Sequence, residues 1–268
     1  MMSWDPGRYL HYEDARLRPA LDLLARVPVE TPAEVVDLGC GAGNVSRHLA
    51  ARWPQARIEG VDADVAMLAQ ARASAAGDPR FAWTLCDLAA WRPRAAVDVV
   101  YSNAALHWLD DHACLFAELF AAVAPGGALA VQMPDNFAAA SHRLPFDAAA
   151  SPRWRDRLAR HVRRTPVAAL ADYRGWLAPP ASALDLWATE YLQGLPARAD
   201  GEHPVVAWMQ GTALLPFLGA LAGADRGAFV ADYAALVEEA YPRRADGSVL
   251  FAFRRVFVVA TRRHAAHA

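Results

Sequence analysis

Val35-Val36-Asp37-Leu38-Gly39-Cys40-Gly41-Ala42-Gly43-Asn44 decides the fold. Two β-branched residues lead to an acid, and a glycine-rich turn then opens a helical pattern near Asn44. That order is the signature of a strand, a tight turn and a helix in an open α/β sheet. Gly39, Gly41 and Gly43 let the backbone approach a ligand with no side chain in the way. A dinucleotide site would space its glycines G-x-G-x-x-G, so that a pyrophosphate rests on the helix N-terminus. Here the glycines alternate and position 44 is asparagine, so the spacing argues against NAD.

The rhythm on either side agrees. E-V-V-D-L, R-I-E-G-V-D, F-A-W-T-L, V-D-V-V-Y-S and A-L-A-V-Q-M are five candidate strands between Ala33 and Met133, alternating with helical patterns as in a doubly wound, mostly parallel sheet. Val65 to Ala76 and His112 to Val123 are the helices, the second burying Leu115, Phe116, Leu119, Phe120 and Val123, with Pro125-Gly126-Gly127 as its stop. Two excursions, about 134–182 and 193–248, interrupt the rhythm around a strand at Ala183 to Leu192 and are too long for plain crossovers. The second contains a helix, Gly227 to Ala240, with Asp225 as N-cap and Phe229, Tyr233, Leu236 and Val237 on its buried face. Val249 onwards forms one long final strand or two short ones. The expected organisation is a single domain, 1–268, with cap insertions at about 134–182 and 193–248.

Three acids end three adjacent strands: Asp37, Asp62 and Asp87. A cofactor with an ammonium, a carboxylate and a sulfonium but no phosphate, S-adenosylmethionine (SAM), suits this arrangement. Asp37 can accept near the ammonium, and Asp62, 19 residues beyond Gly43, can bind both ribose hydroxyls. Asp87 can accept from the adenine amino group while the Leu88 backbone faces the ring. Asn103, ending the fourth strand, completes the candidate cofactor contacts.

Here the sequence resembles the class I methyltransferases, over Val35 to Met133. The resemblance implies a Rossmann-like sheet of seven strands with an antiparallel last strand, SAM as cofactor, and transferase activity.

Composition narrows the chemistry. A formal net charge of −2, with 55% hydrophobic and 21% charged residues, points to a globular chain and away from a globally basic nucleic-acid binder. All 27 cationic side chains are arginine, which excludes lysine Schiff-base chemistry. Cys40, Cys86 and Cys114 lack the paired spacing of a metal or redox site and read as buried thiols in a reducing cytoplasm; no metal is expected. No secretory signal or membrane span is read. No N-P-P-Y or D-P-P-Y motif follows the fourth strand, so a nucleic-acid substrate is not expected. The basic stretch 153–164 puts Trp154, Leu158 and Val162 on one helical face and reads as a solvated face in preference to an anion-attracting helix.

Further segments resemble the trans-aconitate 2-methyltransferases: W-D-P-G-R-Y-L, R-L-R-P-A-L-D-L-L-A-R-V-P, S-N-A-A-L-H-W-L-D-D-H, V-Q-M-P-D-N and F-A-F-R-R-V-F-V-V-A. This resemblance spans nearly the whole chain. It implies methylation of one carboxylate of a small tricarboxylate, trans-aconitate, to its monomethyl ester by a cytoplasmic enzyme, with a monomer favoured. The chain departs from the family's G-T-x-L-R-P pattern at Leu215, where an arginine is expected, which bears on how the acid is held. A methyltransferase for another small acid, and a SAM-binding protein without transfer activity, are the alternatives.

An ionised carboxylate needs no general base, so no catalytic dyad is expected, only alignment and exclusion of water. Arginine offers planar bidentate donors for carboxylates. Candidate substrate contacts are Arg16, Arg18, His107, Tyr241, Arg254 and Arg255, with Trp108 beside His107 in positioning. Trp4, Tyr9 and His11 are candidates for a lid. The last strand, running antiparallel, is expected to begin at Arg254 and Arg255 beside the ligand-binding edge, with the two side chains facing opposite ways.

Overall fold

The computed structural model describes residues 13–158 and 167–264, with side chains from Leu17 on. Helix α1 (Glu13–Ala25) leads into β1 (Glu34–Leu38), α2 (Asn44–Arg52), β2 (Arg57–Asp62), α3 (Val65–Ser74), β3 (Phe81–Leu85) and β4 (Val97–Asn103). A 3-10 turn at Leu106–Trp108 precedes α4 (His112–Ala121) and β5 (Val123–Pro134). Then come α5 (Ala140–Ala149), α6 (Arg155–Leu158), α7 (Leu170–Leu177), β6 (Ala181–Leu195), α8 (Pro204–Gln210), α9 (Leu215–Ala220), α10 (Ala224–Ala240) and β7 (Val249–Arg262).

The seven strands form one sheet in the order β3-β2-β1-β4-β5-β7-β6. Strands β1 to β5 pair in parallel, and β7 runs antiparallel to β5. The expected doubly wound sheet with an antiparallel last strand is therefore present. Strand order reverses between β1 and β4, and ligands of such sheets bind beyond the carboxyl ends at that switch point. Parallel strands covered on both faces read as continuous apolar runs, and Val35, Val36, Leu38, Val99, Val100, Leu129, Ala130 and Val131 are all buried.

Two compact units divide the chain. One comprises Arg16–Pro134, Pro166–Thr189 and Arg255–Ala268 and carries the parallel strands; the other comprises Met1–Ala15, Asp135–Thr165 and Glu190–Arg254. The second unit has an aromatic core of its own, with Trp154, Phe217, Phe229, Tyr233 and Phe251 buried in one cluster.

Several local expectations are corrected. The Pro-Gly-Gly stretch does not separate helix from strand: α4 ends at Ala121 and β5 already pairs at Val123, with a register shift opposite Val97 and Val99 absorbing the kink. Helix α10 begins at Ala224 because Gly223, at φ 54°, turns the chain one step earlier. Asp225 is thus not the N-cap. It stands in the first turn, favourable for an acid at the positive end of the helix dipole, and pairs with Arg157 at 2.6 Å. Strand β7 is one long strand from Val249, as the β-branched and aromatic run there predicts, so it does not begin at Arg254; the alternating Val249, Phe251 and Phe253 fill an aromatic core. Cys114 is exposed on the outer face of α4, whereas Cys40 is buried and Cys86 half-buried.

The basic stretch has Trp154 and Leu158 buried, as its spacing predicts, while Val162 lies outside the described residues. Arg153 and Arg157 lie over the Trp154 ring and pair with Asp232 and Asp225. Their charge is compensated locally and is not offered to an anion.

Candidate active site at the carboxyl ends of the parallel strands

The glycine turn is shaped first by the protein's own packing. Gly39, Gly41 and Gly43 all have positive φ, at 76°, 54° and 77°. A Cβ on Gly39 would stand 2.1 Å from the Ala105 Cβ, so this glycine admits the chain leaving β4, whereas at Gly41 the nearest atom would be 3.9 Å away. Of the three glycines, Gly41 leaves the most room, its nearest neighbour being the Met67 Sδ in ordinary contact. Leu88 closes the other side, with its Cδ1 3.4 Å from the same Gly39 point.

Asp62 is anchored before any ligand arrives. Its Oδ2 accepts from the Gly41 N–H at 2.8 Å and its Oδ1 from the Asp64 N–H at 2.9 Å. Each carboxylate oxygen has two lone-pair sites, so both retain accepting capacity. Asp87 is exposed, and its Oδ1 accepts from the Ala89 N–H at 2.9 Å, which holds Leu88 in a tight turn.

Asp37 lies beneath the turn, 1% exposed, and accepts a hydrogen bond from Ser46 Oγ at 2.6 Å. Burial raises its carboxyl to about 7; the Ser46 bond works against the rise and the nearby Asp62 charge adds to it. An added cation would draw the group back to its ionised form. Ser46 was not among the expected site residues. Its only mark in the sequence is a serine on the otherwise apolar inner face of α2.

At the end of β4 the Oδ1 of Asn103 is buried without a hydrogen-bond partner. Ala104 next to it takes the left-handed conformation, φ 54°, at a cost of about 1 to 2 kcal/mol for a residue with a Cβ. Its N–H donates to the Gln132 carbonyl at 2.9 Å, which fixes the turn. The following 3-10 turn carries His107 and Trp108, with ring centroids 4.7 Å apart and Trp108 74% exposed. His112 braces that turn. Its Nε2 donates to the Leu106 carbonyl at 3.1 Å, leaving Nδ1 to accept from the Tyr173 hydroxyl at 2.6 Å. Burial lowers its pKa, consistent with a neutral ring.

The remaining candidates are more scattered. Arg16 lies in α1, its side chain outside the described residues, as are Trp4, Tyr9 and His11. Arg18 is exposed and 4.0 Å from Asp22 one helical turn on. Tyr241 accepts from the Ser141 N–H at 3.0 Å and can still donate its own proton. Arg254 is exposed, its Nε bonded to Asp135 at 2.9 Å, while Arg255 is 5% exposed. Alternation along β7 thus separates the pair as expected, although both sit within the strand and not at its start. Gln132 was missed: it is 1% exposed, and neither amide atom has a hydrogen-bond partner. A lone amide inside the apolar run A-L-A-V-Q-M was its signal.

The chain is 46% identical over 262 residues to a trans-aconitate 2-methyltransferase of Azoarcus sp. (strain BH72), covering 98% of this chain and all of that one. It belongs to the trans-aconitate 2-methyltransferase family. A trans-aconitate 2-methyltransferase of Streptomyces avermitilis is also 46% identical, over 96% of each chain. A methyltransferase-domain model matches residues 35–127, the segment from β1 into β5. Among solved structures, the YcgJ protein of Bacillus subtilis superposes with a TM-score of 0.60 at 14% identity, over 93% of this chain and all of that one, a likeness of fold. Membership of the trans-aconitate 2-methyltransferase family thus extends through both excursions, beyond the cofactor segment alone.

Proposed function

We propose that this protein transfers the methyl group of SAM to a carboxylate of trans-aconitate, giving the monomethyl ester. The observation that carries the reading is the 46% identity running through the whole chain, both excursions included. The strand-end residues fit the cofactor. Gly41 is the least crowded of the turn glycines, Asp62 is held in place by two backbone N–H groups, and Asn103 has an unused buried acceptor. In this reading Asp62 holds the ribose, Asp87 and Leu88 the adenine, and Asp37, Asn103 and the glycine turn the amino-acid part. When bound, SAM supplies an electrophilic methyl on a sulfonium.

The rest falls to the chain's own groups. The acceptor oxygen is already ionised at neutral pH, so no residue has to take a proton. What is required is cationic and hydrogen-bonding groups that orient the acid and exclude water. Arg16, Arg18, His107, Tyr241, Arg254 and Arg255 are the candidates, with Trp108 beside His107 in positioning. The same reading makes the enzyme a cytoplasmic monomer acting on a free small molecule. Among the described residues no helix is long and apolar enough to cross a membrane.

Leu215 favours a second reading, an acid with fewer carboxylates, because it removes a cation that the family pattern supplies. Incubation with methyl-labelled SAM and a panel of mono-, di- and tricarboxylic acids separates the two. Label in a trans-aconitate ester is expected; preferential labelling of another acid would establish the second reading, and SAM binding with no labelled acid would make the protein a binder without transfer.

A further inference from the structure

Gln132 is the most anomalous polar group in the sheet. Its side chain is buried on a central strand, yet neither amide atom finds a partner. A buried amide without a bond forfeits its hydration for nothing in return, and such groups are rare in folded proteins. The register shows what lies around it. Gln132 pairs with Asn103 on β4 and with Phe257 on β7, and Arg255, two residues from Phe257, pairs with Pro134. Directly paired residues, and residues two apart, share a sheet face. Asn103, Gln132 and Arg255 therefore stand on one face of three adjacent strands, at the carboxyl ends of β4 and β5. Asn103 adds a second buried amide oxygen without a partner.

We propose that Gln132 is a substrate-binding residue: its amide N–H donates to a carboxylate of the acid, next to the Arg255 guanidinium. The assignment rests on the function proposed above. Sheet order separates Gln132 and Arg255 from the strand-end acids of the cofactor site, with Asn103 on β4 standing between the two groups. Asp37 and Asp62 lie at the carboxyl ends of β1 and β2 and Asp87 just beyond β3, whereas Gln132 and Arg255 lie beyond β4 on the opposite side of the switch point. A neutral N–H donor beside a guanidinium is suited to a carboxylate, and the place of the pair beyond β4, away from the acids of β1 to β3, assigns it to the acid substrate and not to the cofactor's own carboxylate. The unpaired amide is then a ligand contact that the sheet holds ready, at the expense of its own stability.

The test uses the full-length protein saturated with S-adenosylhomocysteine, with trans-aconitate titrated calorimetrically into wild type, Gln132→Met and Gln132→Glu. Methionine matches the length of glutamine and removes its hydrogen bonding; glutamate matches its shape and sets a carboxylate against a carboxylate. Affinity for trans-aconitate is expected to fall about 10- to 100-fold in Gln132→Met and further in Gln132→Glu. S-adenosylhomocysteine affinity should stay within about twofold of wild type, as the amide is not a cofactor contact. Ligand-free Gln132→Met should melt at or above the wild-type temperature, because an orphaned amide has been exchanged for apolar atoms. A melting temperature lower by about 3 °C or more would mean that the amide supports the fold, and would overturn the assignment. So would unchanged trans-aconitate affinity in both variants. If wild type itself binds no trans-aconitate, the proposed substrate fails first and this assignment falls with it.

Discussion

Gly39 and Gly41 are two residues apart and answer to different demands. Alanine at Gly39 would combine a left-handed backbone with a Cβ 2.1 Å from that of Ala105, an overlap that only backbone movement can relieve. Gly39→Ala is expected to destabilise the protein by about 2 to 4 kcal/mol. Gly41→Ala meets only an ordinary contact with the Met67 Sδ at 3.9 Å and should cost only about 1 to 2 kcal/mol, from its positive φ, while weakening SAM binding more than any other measured property. Denaturant melts set beside calorimetric SAM titrations check this, and equal stability losses at the two sites would contradict it. Asp62 stands between these extremes. Because it accepts from two backbone N–H groups, Asp62→Ala should cost about 1 to 2 kcal/mol of stability as well as SAM affinity. A variant with full SAM affinity would remove Asp62 from the site.

At the scale of elements, legibility followed burial. The central strands β1, β4 and β5 are covered on both faces, so their apolar runs stand out in the sequence; β3, an edge strand with no buried residue, was marked instead by its position in the alternation of strands and helices. Boundaries set by tertiary packing were not legible. Nothing local distinguishes Gly223 from Asp225 as the start of α10, whereas the start of β7 at Val249 was legible in the β-branched and aromatic run that follows it. Gln132 was hidden for a related reason, since a glutamine in an apolar strand reads alike whether its amide is paired or orphaned. Helix α9 poses a test of its own. Its first residue, Leu215, is half-buried, while the adjacent Leu214 is fully buried in the aromatic unit's core. Leu215→Arg should therefore cost under about 1 kcal/mol, including a few tenths for a cation at a helix N-terminus. It should raise kcat/KM for trans-aconitate; a fall would show that the leucine belongs to a surface adapted to a less charged acid.

For the whole molecule, pH is the variable on which the charge inventory bears. The 27 arginines hold their charge throughout the working range, so no cationic side chain of the lysine type titrates on the alkaline side. Asp37 is different, because burial moves its carboxyl from 3.8 to about 7. A raised acid pKa means that the folded state holds its proton more tightly than the unfolded chain. The stability this confers is fully present below about pH 4 and is lost as pH rises towards 7. His112, with its lowered pKa, acts in the opposite sense, costing stability as pH falls below its usual range. Asp37→Asn isolates the acid: the ligand-free variant should gain on wild type as pH rises from 4 to 7, and keep that advantage above 7. SAM binding should respond the other way. If the ionised Asp37 faces the cofactor's ammonium, kcat/KM for SAM rises with pH up to about 7, and it falls again as the cofactor's α-amino group deprotonates near 7.7 to 8.0. The acid substrate adds no limb of its own, being ionised well below this window. Asp37→Asn should lose the lower limb, keep the upper one, and bind SAM about 10- to 100-fold more weakly at pH 7.5. Paired pH profiles of melting temperature and of kcat/KM for the two proteins decide it: a lower limb that survives in Asp37→Asn belongs to another group and removes Asp37 from contact with the cofactor.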